Sequence, residues 1–277
     1  MSLAISESLS SFLGKEGITS YASLPIEECY FDENKAKRVR LEFTPKSALM
    51  LVIPYFVSLG ENLSTYATAE DYHAYAEGLG ERVNAHLRSL FPGEQFRFFC
   101  DKSPLSERYA AARAGLGVLG DNGLLITHTY GSFVFLAEVL STLPADAFEC
   151  ASAVEVQGCI HCGACKKACP TGCLEDWSRP CLSAITQKKG ELTEEEACLV
   201  LENGSVWGCD ICQLACPMNK KQPTPIPFFH QNRITRITAE LLDEMPESDF
   251  LRRAFSWRGK APLYRNLSLF LEETGES

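Results

Sequence analysis

Ten of the 13 cysteines lie between Cys159 and Cys216, in spacings that suit metal-bound thiolates. One run reads Cys159-x-x-Cys162-x-x-Cys165-x-x-x-Cys169-Pro170, and a second reads Cys209-x-x-Cys212-x-x-x-Cys216-Pro217. Runs of this form hold 4Fe–4S clusters, and the last cysteine of such a run ligates the other cluster of the pair. Two clusters need eight thiolates, and the two runs supply seven. By the crossing rule, one cluster takes Cys159, Cys162, Cys165 and Cys216. The other takes Cys169, Cys209 and Cys212, and needs one more from Cys173, Cys181 and Cys198. Cys173 follows Cys169 by four residues, just past the Pro170-Thr171-Gly172 turn. Cys198 falls inside a segment with helix signals at both ends, where a cysteine is more often packed than ligating. Cys181 opens a segment after Arg179-Pro180 and is the expected eighth ligand. Zinc sites use paired C-x₂-C units and have no need of the x₃-C-P endings. A disulfide framework belongs to an oxidising compartment, and the first residues lack the basic and apolar stretches of a secretory signal. The chemistry expected of these residues is one-electron transfer through two clusters.

A second candidate lies upstream. Asp101 directly follows an apolar segment, Phe96 to Phe99, that reads as a strand. Ser103 is placed to cap a helix over 104–114 with Pro104 at its first position, which leaves Asp101 unexplained by capping. An acid at a strand end suits general acid chemistry. Asp71-Tyr72-His73 opens another helix, where Asp71 suits the helix dipole and His73 reads as an ordinary surface or core residue. Gly115-Leu116-Gly117-Val118-Leu119-Gly120 has the glycine spacing of a dinucleotide fingerprint, but it follows a helix instead of a strand. It reads as a tight turn that lets backbone approach closely.

The elements that must position these groups are legible in outline. Residues 1–13 form an amphipathic pattern. Leu49 to Ile53 is a continuous apolar run, hence a buried strand. Over 68–91, Ala76, Leu79, Val83, Leu87 and Leu90 recur at helical spacing. Leu124 to Thr127 and Ser132 to Leu143 read as strands joined by a turn at Tyr130-Gly131. Thr193 and Glu196 have the spacing of a capping box on a helix that stops at Gly204. The expected class is α+β, with an α/β domain for cofactor and substrate over 1–150 and a ferredoxin-like two-cluster domain over 151–225. Pro223, Pro225 and Pro227 close that domain, and a short helical tail spans 226–277.

The formal net charge of −10 arises mostly within residues 1–150. It gives no overall basic footprint of the kind nucleic-acid binders carry. The nearest local cluster is Arg252, Arg253, Arg258, Lys260 and Arg265, which reads first as an ordinary solvated face. No apolar run approaches the length of a membrane helix, so no membrane partner is expected. Free thiols and clusters are expected in a reducing cytoplasm.

Together these motifs resemble the epoxyqueuosine reductases, cobalamin-dependent iron–sulfur enzymes of queuosine-tRNA biosynthesis related to reductive dehalogenases. The resemblance covers about 49 to 219. It runs through Tyr66-Ala67, Asp71-Tyr72-His73, Asp101-x-Ser103-Pro104 with Glu107, and Ala112-Arg113-Ala114-Gly115-Leu116-Gly117. It continues in Gly120-x-Asn122, Leu125-Ile126 and Tyr130-Gly131-Ser132 with Glu138. It closes on Cys159 to Thr171, Cys181-Leu182-Ser183, Gly208-Cys209-Asp210-x-Cys212-Gln213 and Cys216-Pro217-x-Asn219. It implies a nitroreductase-like fold for the first domain, with Asp101 as proton donor and Cys181 as the eighth ligand. It also implies a base-off cobalamin cradled by residues in the stretch Asp101 to Ser132, namely Ser103, Gly120, Asn122, Leu125, Tyr130 and Ser132. The implied partners are a tRNA anticodon loop carrying epoxyqueuosine and an external low-potential electron donor. The chain departs from the pattern at Asp121, where the family usually has Lys, and in the short loop between Cys169 and Cys181. It also ends at residue 277, where many members continue into helical repeats. Two alternatives stay open at this stage: a corrinoid iron–sulfur reductase of a small molecule, and a non-catalytic electron carrier.

Overall fold

The computed structural model of the chain describes residues 2–274 and resolves into two compact units. The first comprises Met1–Tyr55, His73–His161 and Lys220–Ile226. The second comprises Phe56–Tyr72, Cys162–Asn219 and Pro227–Ser277. Residue 1 of the expected first domain and residues 275–277 of the expected tail lie outside the described residues. The division thus differs from three successive domains over 1–150, 151–225 and 226–277: the cysteine segment and the tail share one unit. The reason is burial. Ile237, Leu242, Phe250, Phe255 and Leu263 of the tail close around Trp207, Val206 and Leu63 in one core, which so short a tail could not build alone.

The first unit is built on a four-stranded antiparallel sheet of order β1-β2-β6-β3. Its strands are β1 (Tyr21–Pro25), β2 (Ser47–Pro54), β3 (Phe96–Cys100) and β6 (Val134–Ser141). A separate two-stranded ribbon pairs β4 (Val118–Leu119) with β5 (Leu125–Ile126). β2 is buried at every position, which explains its unbroken apolar run. The helices of this unit are α1 (Ser2–Lys15), α2 (Glu33–Ala36), α3 (Tyr72–Leu90) and α4 (Glu107–Arg113). α3 buries Ala76, Leu79, Val83 and Leu87, the stripe that its sequence period predicts. α4 lays Ala110, Ala111 and Ala114 into a core with Met50, Phe99 and Leu140, and alanines let helix and sheet approach closely.

Two expectations are corrected here. The helix expected over 104–114 begins only at Glu107, and Ser103 does not cap it. Its Oγ instead accepts the Leu105 N–H at 2.9 Å, the local turn that serine side chains favour. The two strands expected on either side of Tyr130-Gly131 form as β5 and β6, but β5 pairs with β4 while β6 lies between β2 and β3. The turn itself exists, closed by reciprocal backbone bonds between Thr127 and Gly131. β1, short and weakly patterned, has no counterpart in the sequence reading.

The second unit holds α5 (Ala164–Ala168), α6 (Leu182–Thr186), α7 (Glu194–Glu202), α8 (Ile211–Leu214), α9 (Ala239–Glu244), α10 (Glu247–Leu251) and α11 (Ala261–Thr274). α7 carries the expected capping box from Thr193 and Glu196. Gly208 adopts a φ of 74°, and a Cβ there would lie 2.5 Å from that of Ser64. This close approach lets Asp210 accept from Ser64 Oγ at 2.5 Å and from the Thr65 N–H at 2.6 Å. Asn266, wholly buried, donates from Nδ2 to the carbonyls of Thr186 and Val206, each at 2.8 Å.

The C-terminal cations are largely spent on this unit's own structure. Arg265 donates to the carbonyls of Lys188, Gly190, Ile185 and Thr186. Lys260 donates to the Leu242 carbonyl, and Arg253 is buried against the Asn232 carbonyl. Arg252 pairs with Glu70 at 3.2 Å and Asp249 at 3.0 Å. Among the described residues, no helix is long and apolar enough to cross a membrane.

Candidate functional site

Asp101 follows β3 with a φ of 63°, a left-handed position that aspartate tolerates better than most residues. Its backbone N–H donates to Glu107 Oε1 at 2.9 Å, and its Oδ2 lies 3.4 Å from His73 Nε2. The first residue of α4 therefore holds the loop, and the second residue of α3 holds the carboxylate. His73 is the neighbour of Asp101 that helix position alone did not reveal. The one signal for it was the Asp71-Tyr72-His73 triplet within the resemblance. Two further carboxyls stand behind this loop. Burial, then the charge of Asp101, raises the Glu107 carboxyl, while Lys35 at 3.5 Å acts the other way. Glu138 on β6 is fully buried opposite Phe99, and neither carboxyl oxygen has a hydrogen-bond partner. Burial first, then the charge of Glu107, pushes it well above the usual carboxylate range. A buried carboxyl without partners favours its protonated form.

Asp101 stands at a cleft of about 300 Å³ lined also by Glu107, Leu124, Leu125, Ser132 and Phe135. Of the six expected cofactor contacts, Leu125 and Ser132 line it with Asp101. Ser103 and Tyr130 are buried and do not, and Ser103 Oγ is already engaged by Leu105. Gly120 and Asn122 shape the β4–β5 turn, where a Cβ on Gly120 would lie 2.4 Å from Asn122 Oδ1. Asn122 is buried, and its Nδ2 has no hydrogen-bond partner. The cleft sets Leu124, Leu125, Val134, Phe135 and Leu136 beside Asp101, Arg108 and Ser132, a mixed wall that suits a flat, apolar group with polar edges, which is the character of a corrin ring.

In the second unit α5 packs on α8. Cys165 lies on α5, Cys169 at its C-terminal cap, Cys212 on α8, and Cys216 two residues past α8; Cys162 precedes α5. Cys181 forms the N-cap of α6. It is close enough to act electrostatically on Cys209 and Cys212, as is Cys169. Burial pushes the Cys209 and Cys212 thiols up to about 12. Burial also opposes the Cys169 thiolate, but hydrogen bonds led by that of Thr171 outweigh it and bring the thiol down. Cys173 Sγ lies 3.6 Å from Cys169 Sγ in a buried apolar setting. Cys198 is exposed on α7, contrary to the packed position expected for it, because it falls on the solvent side of that helix. In the first unit, His161 Nδ1 lies 2.8 Å from Asp121 Oδ1 and 3.9 Å from Cys159 Sγ. Asp121, unlike the usual lysine, thus places a carboxylate against a histidine beside an expected ligand. A donor set made almost wholly of thiolates fits iron–sulfur clusters and not a hard cation.

Residues 158–219 match the family described as the 4Fe-4S double cluster binding domain. The class is therefore an iron–sulfur protein with a mixed α/β part. The chain is 37% identical over 204 residues to the epoxyqueuosine reductase of Shewanella oneidensis, covering 69% of this chain and 50% of that protein. It spans about half the length of the curated relatives it matches. The fold superposes on the epoxyqueuosine reductase of Streptococcus thermophilus with a TM-score of 0.79 at 25% identity, over 99% of this chain and 82% of that one. It also superposes with a TM-score of 0.77 at 22% identity on an epoxyqueuosine reductase with an epoxyqueuosine-modified tRNA-Tyr stem loop, over 100% of this chain and 83% of that one. Over some 70% of its length, the chain is a homologue of the epoxyqueuosine reductases.

Proposed function

We propose that this protein reduces epoxyqueuosine in tRNA to queuosine, with Asp101 as the acid. The observation that carries the reading is Asp101 at the rim of a cleft lined in part by Leu124, Leu125 and Phe135, its carboxylate against His73 and its backbone N–H held by Glu107. In the reaction both epoxide C–O bonds break, a carbon–carbon double bond forms, and the oxygen leaves as water. Two electrons and two protons are consumed. Two 4Fe–4S clusters would be held by Cys159, Cys162, Cys165 and Cys216, and by Cys169, Cys181, Cys209 and Cys212; when bound they carry electrons singly. A cobalamin would lie against Leu125 and Ser132, near Asn122, and when bound supplies the two-electron reduction that the clusters alone do not. Asp101 donates its proton to the departing oxygen, and His73 returns one to it. Glu107 holds the loop through the Asp101 amide, so that the carboxyl stays aimed at the cleft. Ligands of this kind suit a reducing cytoplasm, with electrons arriving from an external low-potential donor.

The test is turnover of epoxyqueuosine-containing tRNA by anaerobic, iron-reconstituted protein with added cobalamin and reduced methyl viologen, read by nucleoside mass analysis. Asp101→Asn should lose activity by roughly two to four orders of magnitude, the range for a general acid, while retaining iron and cobalamin. No queuosine from the wild type at low salt would reject tRNA as substrate and favour a small-molecule reductase, which the −10 charge also suits.

A further inference from the structure

The molecule's cations fall into two groups. Some are paired with an acid: Lys35 with Glu107, Arg82 with Glu16, Arg113 with Glu28, Lys188 with Glu196, and Arg252 with Glu70. Among the cations without an acidic partner, several gather at a cleft of about 550 Å³ in the first unit, along the outer edge of β3. Its walls carry Arg38, Arg40, Arg97 and Lys102 against one carboxylate, Glu77, with the half-buried Phe98 and the buried Phe99 behind them. Among the described residues none of the four cations has an acidic partner within ion-pair distance. Arg97 holds the rim by donating to the Arg40 carbonyl at 2.5 Å, with its guanidinium 5.0 Å from the Phe99 ring centre.

Four like charges gathered around one cavity repel one another, and in a chain of net charge −10 acids to neutralise them were abundant. Their isolation from those acids favours an external anion. The position of the cleft says which anion is relevant. Cys100 and Lys102, on either side of Asp101, both line it, and so does His73, which contacts the Asp101 carboxylate. Asp101 therefore stands between the cleft lined by Leu125 and Ser132 and a basic one. We propose that the basic cleft binds backbone phosphates of the single-stranded RNA loop whose modified base is presented to Asp101. This rests on the reading of tRNA as substrate and adds to it the residues that hold the strand. Phosphate contacts supply most of the affinity for nucleic acid, and several cations spread along one cleft suit the successive phosphates of a strand better than a single free phosphate. The C-terminal cations, engaged with their own unit, do not take this role.

The experiment measures binding of a fluorescent, unmodified anticodon stem-loop RNA to the full-length, iron-loaded protein across a salt series, without turnover. The variants are R38A/R40A/K102A and, as a control, R252A. In the triple variant the slope of log affinity against log salt should fall by roughly two to three, about one per lost phosphate contact, and affinity at moderate salt should drop at least tenfold. R252A should match the wild type. Iron content and cobalamin binding should be unchanged in all three proteins. Equal slope and affinity in the triple variant, or a loss confined to R252A, would overturn the proposal, as would a wild type that does not bind the RNA. If the triple variant loses RNA affinity but the wild type leaves epoxyqueuosine intact, the cleft stands and the proposed reaction falls.

Discussion

Glu138→Gln isolates the most unusual group in the first unit, a fully buried carboxyl with two unpartnered oxygens. In the unfolded chain a glutamate titrates near pH 4.3. In the fold, burial and the neighbouring Glu107 charge raise it well above that range. Between these two values the folded state keeps a proton that the unfolded state has lost, so stability falls as pH rises. The slope is about 1.4 kcal/mol per pH unit for one proton. Below the unfolded value both states are protonated and the effect vanishes; above the folded value the penalty is constant. Glutamine has no proton to lose. Its buried amide costs on the order of 1–3 kcal/mol, but that cost does not vary with pH. The difference between wild type and Glu138→Gln should therefore move in favour of the variant as pH rises from about 4.5, by up to about 1.4 kcal/mol per unit. Amide hydrogen exchange of the β6 peptide Val134–Ser141, measured anaerobically between about pH 5 and 8 and corrected for intrinsic rates, reads this locally. Parallel stability curves for the two proteins would refute the assignment of a proton to Glu138.

Other outcomes follow from the second unit. Cys181→Ala should lower bound iron by about one cluster, whereas Cys173→Ala and Cys198→Ala should not, on the eight-thiolate requirement; full iron in the Cys181 variant would reject its role as a ligand. Asn266→Ala removes the Asn266 donor from the Val206 carbonyl and leaves the Thr186 carbonyl with only the longer bond from Arg265 at 3.3 Å. It should cost about 2–4 kcal/mol, seen as a lower urea midpoint by fluorescence of the buried Trp207, and a shift under about half a kcal/mol would contradict that accounting.

The sequence by itself determined the cysteine runs and their metal, since ligand spacing along a chain is a local property. It also determined β2, α3 and the α7 capping box, whose patterns depend on one face or a few neighbours. It marked Asp101 because capping, a local rule, failed to explain that residue. Tertiary structure alone decided the rest. β5 turned to β4 and not to β6, because strand partners are chosen by what closes a core. The tail joined the cysteine segment because its apolar side chains needed Trp207. His73 met Asp101, and Glu138 came to lie unpaired beneath the first turn of α4, through contacts between residues far apart in the chain. The basic residues show the same limit most directly. Composition counts Arg265 and Arg38 alike, but only packing turns the first toward backbone carbonyls and leaves the second lining a cleft with no acid in ion-pair contact among the described residues.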